Sequence, residues 1–238
     1  MALAVVTGGA GALGYSIARA LGRAGNHVLL VDISDRVEGA ANALNAESLN
    51  AAPCVADIGG VEGVGVVKRA VEELRRPVTT LVNNAGINRD ARADVMTDDD
   101  FRAVVRVNLV GPALLCDALS EHMDGGGAVV NISSRAALGN FGQVNYVAAK
   151  SGLVGLTRAL ALRWAPRVRV NAIAPGLVDT PMTAGMPAHV LQKLVARVPA
   201  GRIGTADEIA EVVAFLASPA AAYITGQFLP VCGGRSLA

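Results

Sequence analysis

A doubly wound α/β fold, one parallel sheet with helices on both faces, is what this sequence predicts. Three observations predict it. Apolar strand-like runs alternate with helix-like segments along the whole chain, the pattern of consecutive βαβ units. The runs are continuous in Val, Ile and Leu, as expected of strands covered on both faces. The first run leads into the glycine-rich segment Thr7-Gly8-Gly9-Ala10-Gly11-Ala12-Leu13-Gly14, the strand–loop–helix junction of a Rossmann-type sheet.

The first apolar run predicts a strand at 3–7, and the Ala-rich amphipathic stretch after the glycines a helix at 11–24. A second strand at 27–32 ends on Asp32, ahead of a helix at 36–50. Strands at 52–56 and 80–83 flank a helix at 60–75. Thr97-Asp98-Asp99-Asp100 supplies an N-cap and carboxylates that complement a helix dipole, so a helix is expected over 98–122. Asp124-Gly-Gly-Gly127 is expected to end it and turn the chain into a fifth strand at 127–133. Tyr146 opens a helix that Pro166 stops near Trp164. A strand at 167–174, a helix at 207–217 and a strand at 227–231 complete a seven-stranded sheet. With 238 residues, 52% of them hydrophobic, and no linker or repeat, a single domain over 1–238 suffices.

Composition narrows the function classes. A net charge of +1 with mixed signs gives no footprint for nucleic acid. No apolar run reaches ~18 residues, so no membrane partner is expected. Met1-Ala-Leu-Ala-Val-Val-Thr7 lacks the basic start of a signal peptide. Cys54, Cys116 and Cys232 are widely spaced and read as free thiols in a reducing compartment, so a cytoplasmic location is expected. His27, His122 and His189 are scattered without ligand spacing, so no metal is expected.

A glycine loop between strand and helix lets backbone N–H groups approach phosphate oxygens at the positive end of the helix dipole. Asp32 closes the next strand, where a carboxylate accepts hydrogen bonds from both hydroxyls of an adenosine ribose. A 2′-phosphate there meets like charge, so NAD is the expected cofactor and NADP the less favoured one. The second informative motif is Tyr146-Val-Ala-Ala-Lys150. Residues four apart share one helix face. A free phenol, with a pKa of ~10, is a poor base near neutrality, and a nearby ammonium favours the phenolate. Lys150 is therefore expected to lower the pKa of Tyr146. That makes Tyr146 the candidate general acid/base for hydride transfer between a nicotinamide and a carbonyl or alcohol.

Together the motifs resemble the short-chain dehydrogenase/reductase family over essentially the whole chain. The family's ordered pattern is met by Thr7-Gly8 with Gly14, Asn83-Asn84-Ala85-Gly86, Ser133-Ser134, Tyr146 with Lys150, and Pro175-Gly176. One departure is Ala12, where the family has its middle glycine. The resemblance implies cofactor contacts at Gly8, Gly11, Leu13 and Gly14, at Asp32 and Ile33, and at Asp57 by the adenine, with Ile58. It implies a wall of Asn83, Ala85 and Gly86 beside the adenosine ribose, a further contact at Asn84, and Pro175, Gly176, Val178 and Thr180 along the nicotinamide amide. Lys150 would also bond the nicotinamide ribose. Asn108, in Val107-Asn108-Leu109, matches the family's helix Asn, which would bend its helix and hold a water leading to Lys150.

A serine hydroxyl should orient the substrate oxygen. Ser133 has the family's usual spacing to Tyr146; Ser134 matches the family's strand end. Adjacent strand residues face opposite ways, so one alone can serve. Loops tolerate deletion better than strands tolerate a register slip, which favours Ser134.

The irregular stretch 180–204 follows the nicotinamide segment and would form a substrate lid, with Met182, Met186, Leu191 and Leu194 as an adaptable apolar wall. Leu138, Phe141 and Gln143 would line the other side. The expected substrate is a modest-sized, mainly apolar secondary alcohol or ketone. Gly139–Tyr146 and Val198–Gly204 look most like 3-oxoacyl-carrier-protein reductases, but Asp32 opposes their NADPH, and Asp124-Gly-Gly-Gly127 replaces their basic residues. An NAD-linked secondary alcohol dehydrogenase is therefore ranked first and a 3-oxoacyl reductase second. A non-catalytic NAD-binding sensor or scaffold is the reading of another class. The helices around 101–122 and 146–164 are apolar around much of their circumference. With the resemblance, this implies a homotetramer, a dimer of dimers in which 231–238 makes a second contact.

Overall fold

The computed structural model describes residues 1–237; Ala238 and the side chains of Asp124 and Met182 lie outside the described residues. The first half runs β1 (Leu3–Thr7), α1 (Ala12–Arg23), β2 (His27–Asp32), α2 (Arg36–Ala46), β3 (Ala51–Val55), α3 (Val61–Leu74) and β4 (Val78–Asn83). The second half opens with α4 (Asp98–Val105), a π-helical turn (Arg106–Val110), α5 (Gly111–Leu119) and β5 (Met123–Ile132). After a 3₁₀ turn (Arg135–Leu138) come α6 (Val144–Trp164), β6 (Val168–Pro175), α7 (Pro181–Ala184), α8 (Ala188–Val195), α9 (Ala206–Ala217) and β7 (Phe228–Val231).

The seven strands form one sheet in the order β3-β2-β1-β4-β5-β6-β7, and every paired neighbour is parallel. The alternation of side chains along each strand divides the core into two layers. Leu3 and Val5 of β1 face Val64, Val67 and Leu115 on one side. Ala4 and Val6 face Ile17, Leu21 and Val213 on the other. Continuous apolar strands are thus explained by two buried faces. The strand order reverses direction between β1 and β4, which opens a crevice at the carboxyl ends of those strands.

Four expectations about local structure are corrected. The helix expected over 98–122 is broken: α4 starts on its Thr97 cap, whose hydroxyl accepts the Asp100 N–H at 3.1 Å, but the helix widens at Arg106–Val110 and ends at Leu119. Asp124-Gly-Gly-Gly127 does not terminate it. Val78 pairs with Met123 and Thr80 with Ala128, so 124–127 bulges out of the β4–β5 ladder. Gly126 sits at φ +89° with open space around it, a conformation glycine reaches without strain. The second helix stops at Ala46, short of 50, where Asn45 ties the turn to Ala51 through paired hydrogen bonds of 3.0 and 2.9 Å. The stretch 180–204 is more regular than expected and contains α7 and α8.

A polar chain crosses the core beside the crevice. Asn83 donates to Asn131 Oδ1 at 2.8 Å. Asn131 donates to Thr157 Oγ1 at 2.8 Å, and Thr157 donates to the Leu153 carbonyl at 2.8 Å. All three side chains are fully buried. This joins β4, β5 and α6 directly behind the site. Asn131→Ala removes the central link and strands a buried donor on one side and an acceptor on the other. A loss of about 1–3 kcal/mol per orphaned group is expected, read as a lower denaturant midpoint at unchanged slope.

Candidate active site

The residues singled out in the sequence gather along the carboxyl rim of the sheet, at or just beyond the ends of β1 to β6. At β1, Gly8 has φ +70°, and a Cβ there would lie 2.7 Å from Asn84 Nδ2. Gly14 is buried under the loop, where a Cβ would collide with the Gly8 carbonyl. It serves the close approach of α1 to β1 rather than the loop surface. Gly11 is the N-cap of α1, and its N–H donates to the Gly8 carbonyl at 3.1 Å. Ala12 is exposed at the first position of α1, without positive φ, so the departure from the family's glycine brings no backbone strain.

At β2, the Asp32 carboxylate accepts the Ala10 N–H and the Ser34 N–H, each at 3.0 Å. These bonds fix its direction toward a hollow it shares with Gly8, Ile33, Asp57, Ile58, Ala85 and Gly86. Asp57 is held by the Gly59 N–H at 2.9 Å. Free lone pairs remain on both carboxylates. An adenosine ribose with two hydroxyls suits this mixture of acceptors and apolar wall. Asn83 does not belong to it. Its side chain lies in the core, 1% exposed, because it neighbours Asn84 on a strand end and faces the opposite way.

The adjoining cleft, about 310 Å³, holds the chemical end. Leu13, Asn84 and Gly86 line it together with Pro175, Gly176, Val178 and Thr180, and with Ser134, Tyr146 and Lys150. Ser134 faces the Tyr146 phenol and pulls its pKa down. Ser133 turns inward and donates to the Lys150 carbonyl at 2.9 Å. Lys150 is buried and donates from Nζ to the Ile132 carbonyl at 2.8 Å. Its ammonium lies 5.6 Å from the centre of the Tyr146 ring. Gly86 completes the packing, since a Cβ there would be 3.2 Å from Asn108 Oδ1 and 3.5 Å from Lys150 Nζ. Asn108 occupies the π-helical turn. It pairs with the backbone of Ile87, accepting its N–H at 2.8 Å and donating to its carbonyl at 3.0 Å.

The expectation that Lys150 lowers the Tyr146 pKa is corrected. Burial raises the phenol most; Ser134 opposes this, and the Asp90 carboxylate adds to it. The lysine is itself brought down to about 8 by burial. Sequence spacing places the two groups on one face but carries no information on desolvation. Of the expected apolar lid residues with described side chains, Met186 lines the cleft while Leu191 and Leu194 do not. Leu138 and Phe141 are largely exposed beyond it. Thr7 appeared in the sequence only as part of the glycine motif, and Thr183 was not singled out. Thr183 caps the turn at Thr180 and lines the cleft, and a Thr-Pro-x-Thr pattern is its visible signal.

Comparison with known proteins agrees with this geometry. Residues 8–236 match the family described as enoyl-(acyl carrier protein) reductase. A 3-oxoacyl-(acyl-carrier-protein) reductase of Pseudomonas aeruginosa is 41% identical over 98% of this chain and 96% of its own. The subunit BbsD of a hydroxy(phenyl)methylsuccinyl-CoA dehydrogenase from Thauera aromatica is 39% identical over 99% and 96%. The solved structure of a putative NAD(P)-dependent gluconate 5-dehydrogenase from Beutenbergia cavernae, with bound NADP, superposes with a TM-score of 0.91 at 39% identity over 100% and 97%.

The chain belongs to the short-chain dehydrogenase/reductase family.

As a member of this family it is an oxidoreductase acting between CH–OH and C=O with a nicotinamide cofactor. The two adjoining hollows fit such a cofactor: a fixed carboxylate at Asp32, side-chain-free backbone at Gly8 and Gly86 in the lining, and an apolar wall at Val178. No helix among the described residues is long and apolar enough to cross a membrane, and no metal-holding cluster occurs among them.

Lys150 gives this site a pH signature in stability. Its folded pKa of about 8 lies below the ordinary 10.5. Between those values the unfolded chain holds a proton that the folded chain has released, so stability rises with pH. The raised Tyr146 acts in the opposite sense, above its ordinary 10.0. Denaturant midpoints of wild type and Lys150→Met should therefore converge or cross in the wild type's favour from pH 8 to 10. A pH-independent difference between them would contradict the buried, depressed lysine.

Proposed function

We propose that the protein is an NAD-dependent dehydrogenase/reductase of secondary alcohols and ketones, with Tyr146 exchanging the proton at the substrate oxygen. The observation that carries this reading is a single cleft lined by Ser134, Tyr146 and buried Lys150 together with Pro175, Gly176, Val178 and Thr180. When bound, the nicotinamide supplies or accepts the hydride. Tyr146 provides the hydroxyl that donates to a ketone oxygen or accepts from an alcohol. A phenol pushed up by burial stays protonated at neutral pH, the form needed for ketone reduction. Ser134 orients the same oxygen, and its contact with the phenol keeps the two donors aimed at one point. Lys150 holds positive charge behind the phenol and bonds the cofactor's ribose. Asn108 retains one N–H and one lone pair for a water toward Lys150.

Asp32 supports NAD over NADP, because its fixed carboxylate stands where a 2′-phosphate would come. A 3-oxoacyl reductase remains the second reading, supported by the 41% identity to the Pseudomonas enzyme. A non-catalytic NAD-binding role has less support, since Tyr146 and Lys150 are both in place. We place the protein in the cytoplasm as a homotetramer. Leu162, on α6, is 86% exposed and Phe215, on α9, 43%, so each helix keeps apolar surface for a second subunit.

A panel of ketones and alcohols assayed with NAD(H) and NADP(H) side by side tests the reaction and the cofactor. Turnover should favour NAD(H), and Asp32→Ala should narrow that preference. Tyr146→Phe should cut kcat by about 100- to 10,000-fold while leaving NAD affinity within a few-fold. A Tyr146→Phe enzyme as fast as wild type would remove Tyr146 from the chemistry. Light scattering at micromolar concentration should give four times the chain mass; a monomer would end the assembly proposal.

A further inference from the structure

Gln143 stands at the cap position of α6, the helix that carries Tyr146, yet its side chain caps nothing. It turns outward, donating to the Asp90 carboxylate at 2.8 Å and accepting from the Asn140 amide at 2.6 Å. The first N–H groups of a helix need an acceptor from outside its own ladder. At Tyr146 that acceptor is the neighbouring side chain: Asn145 Oδ1 takes the Tyr146 N–H at 2.7 Å. The other end of the same amide donates to the Arg89 carbonyl at 2.8 Å and, more weakly, to the Asp100 carbonyl at 3.4 Å. Asn145 is fully buried.

A Ser, Thr or Asp at position 143 would close the helix from the surface, with no amide taken out of water. Burying an asparagine costs free energy that only satisfied partners offset. What the buried amide adds is a tie between the Tyr146 backbone and the segment after β4. That segment is itself held. Asn108, also fully buried, grips Ile87 at both its N–H and its carbonyl. The Arg89 side chain pairs with Asp100 at 2.8 Å, and Ala91 pairs with Gln143 in an isolated parallel bridge. Ile87 and Asn88 line the same cleft as Tyr146. Two buried asparagines thus clamp residues 87–89, and one of them is bonded to the backbone of the residue that carries the phenol.

We propose that Asn145 is a positioning residue for the reaction. By fixing the Tyr146 backbone to the clamped segment, it sets where the phenol stands relative to Ser134 and the substrate oxygen. This rests on the hydride-transfer reading above. Asn145 touches no reacting atom and acts through Tyr146. Misplacing a reacting group by about 1 Å costs about 100-fold in rate.

The test compares Asn145→Leu, Tyr146→Phe and the double variant in reducing cyclohexanone and ethyl acetoacetate with NADH. Asn45→Ala, which breaks the remote turn after α2, is the control for lost stability. Asn145→Leu should lower kcat by about 100-fold, with KM and the NADH affinity read by fluorescence within a few-fold of wild type. Asn145→Ser keeps an oxygen near the Tyr146 N–H but does not reach Arg89. It should fall between the two, and it serves where Asn145→Leu does not fold. Added to Tyr146→Phe, Asn145→Leu should slow the enzyme no further, because a group that acts through the phenol has nothing left to place. A merely structural role would slow both backgrounds alike.

The phenol also reports without turnover. The difference in ultraviolet titration between each enzyme and its Tyr146→Phe counterpart isolates Tyr146. Its midpoint, raised by burial above the ordinary 10.0, should fall toward that value in Asn145→Leu as water reaches the ring. Such a fall, with neither ketone reduced by wild type, would uphold the positioning and sink the hydride-transfer reading alone. A Tyr146→Phe enzyme as fast as wild type would sink the reading and the proposal with it. Unchanged kcat in Asn145→Leu, an equal loss in Asn45→Ala, additive losses in the double variant, or an unmoved midpoint would each overturn the proposal alone.

Discussion

The Thr7 hydroxyl, buried between β1 and β4, accepts the N–H groups of Asn84 and Ala85, each at 3.0 Å. The Asn84 amide returns a bond to the Thr7 carbonyl at 2.8 Å. This exchange locks the glycine loop to the end of β4 at the point where the strand order reverses. It also explains why Gly8 admits no side chain: Asn84 and Ala85 already fill the space a Cβ would take. Gly86 follows immediately and brings Asn108 and Lys150 against the same segment. Loosening the Thr7 tie would therefore disturb the nucleotide end and the chemical end together.

Burying Lys150 sets up a tension that the surroundings only partly relieve. The ammonium gains the Ile132 carbonyl, yet burial still depresses it to about 8. A charged group retained at such a disadvantage is a common mark of a functional site. The same burial raises Tyr146, so two groups with nearly equal ordinary values are moved apart, the phenol upward and the ammonium downward. At neutral pH both then hold their protons, the phenol as the donor a ketone oxygen needs.

Much of this was legible in the sequence because parallel strands announce themselves. Their runs are largely apolar, and Gly, Asp, Asn or Ser punctuates the carboxyl ends where the site lies. Strand parity said that only one of Ser133 and Ser134 can serve, and loop tolerance favoured Ser134; the Ser133 hydroxyl is spent on the Lys150 carbonyl. The same parity applies to Asn83 and Asn84, yet the family pattern drew attention to the whole Asn-Asn-Ala-Gly run and hid the inward turn of Asn83. The widening at Arg106–Val110 was signalled only by Asn108, through the family likeness, since the apolar spacing continues across it. The bulge at 124–127 was mistaken for a helix stop because glycine serves both ends. The degree of burial at Tyr146 and Lys150 arises only when the chain closes on itself.

Since every strand runs the same way, the sheet has a working rim and a plain one. Asn50, exposed just ahead of β3, and Gly125, with open space beyond it, sit on the plain side. A linker attached there would tether the enzyme to a bead or electrode with its mouth turned outward to the solution. Immobilisation from that side would leave substrate traffic unobstructed, whereas coupling beside Thr180 or Met186 would plug it.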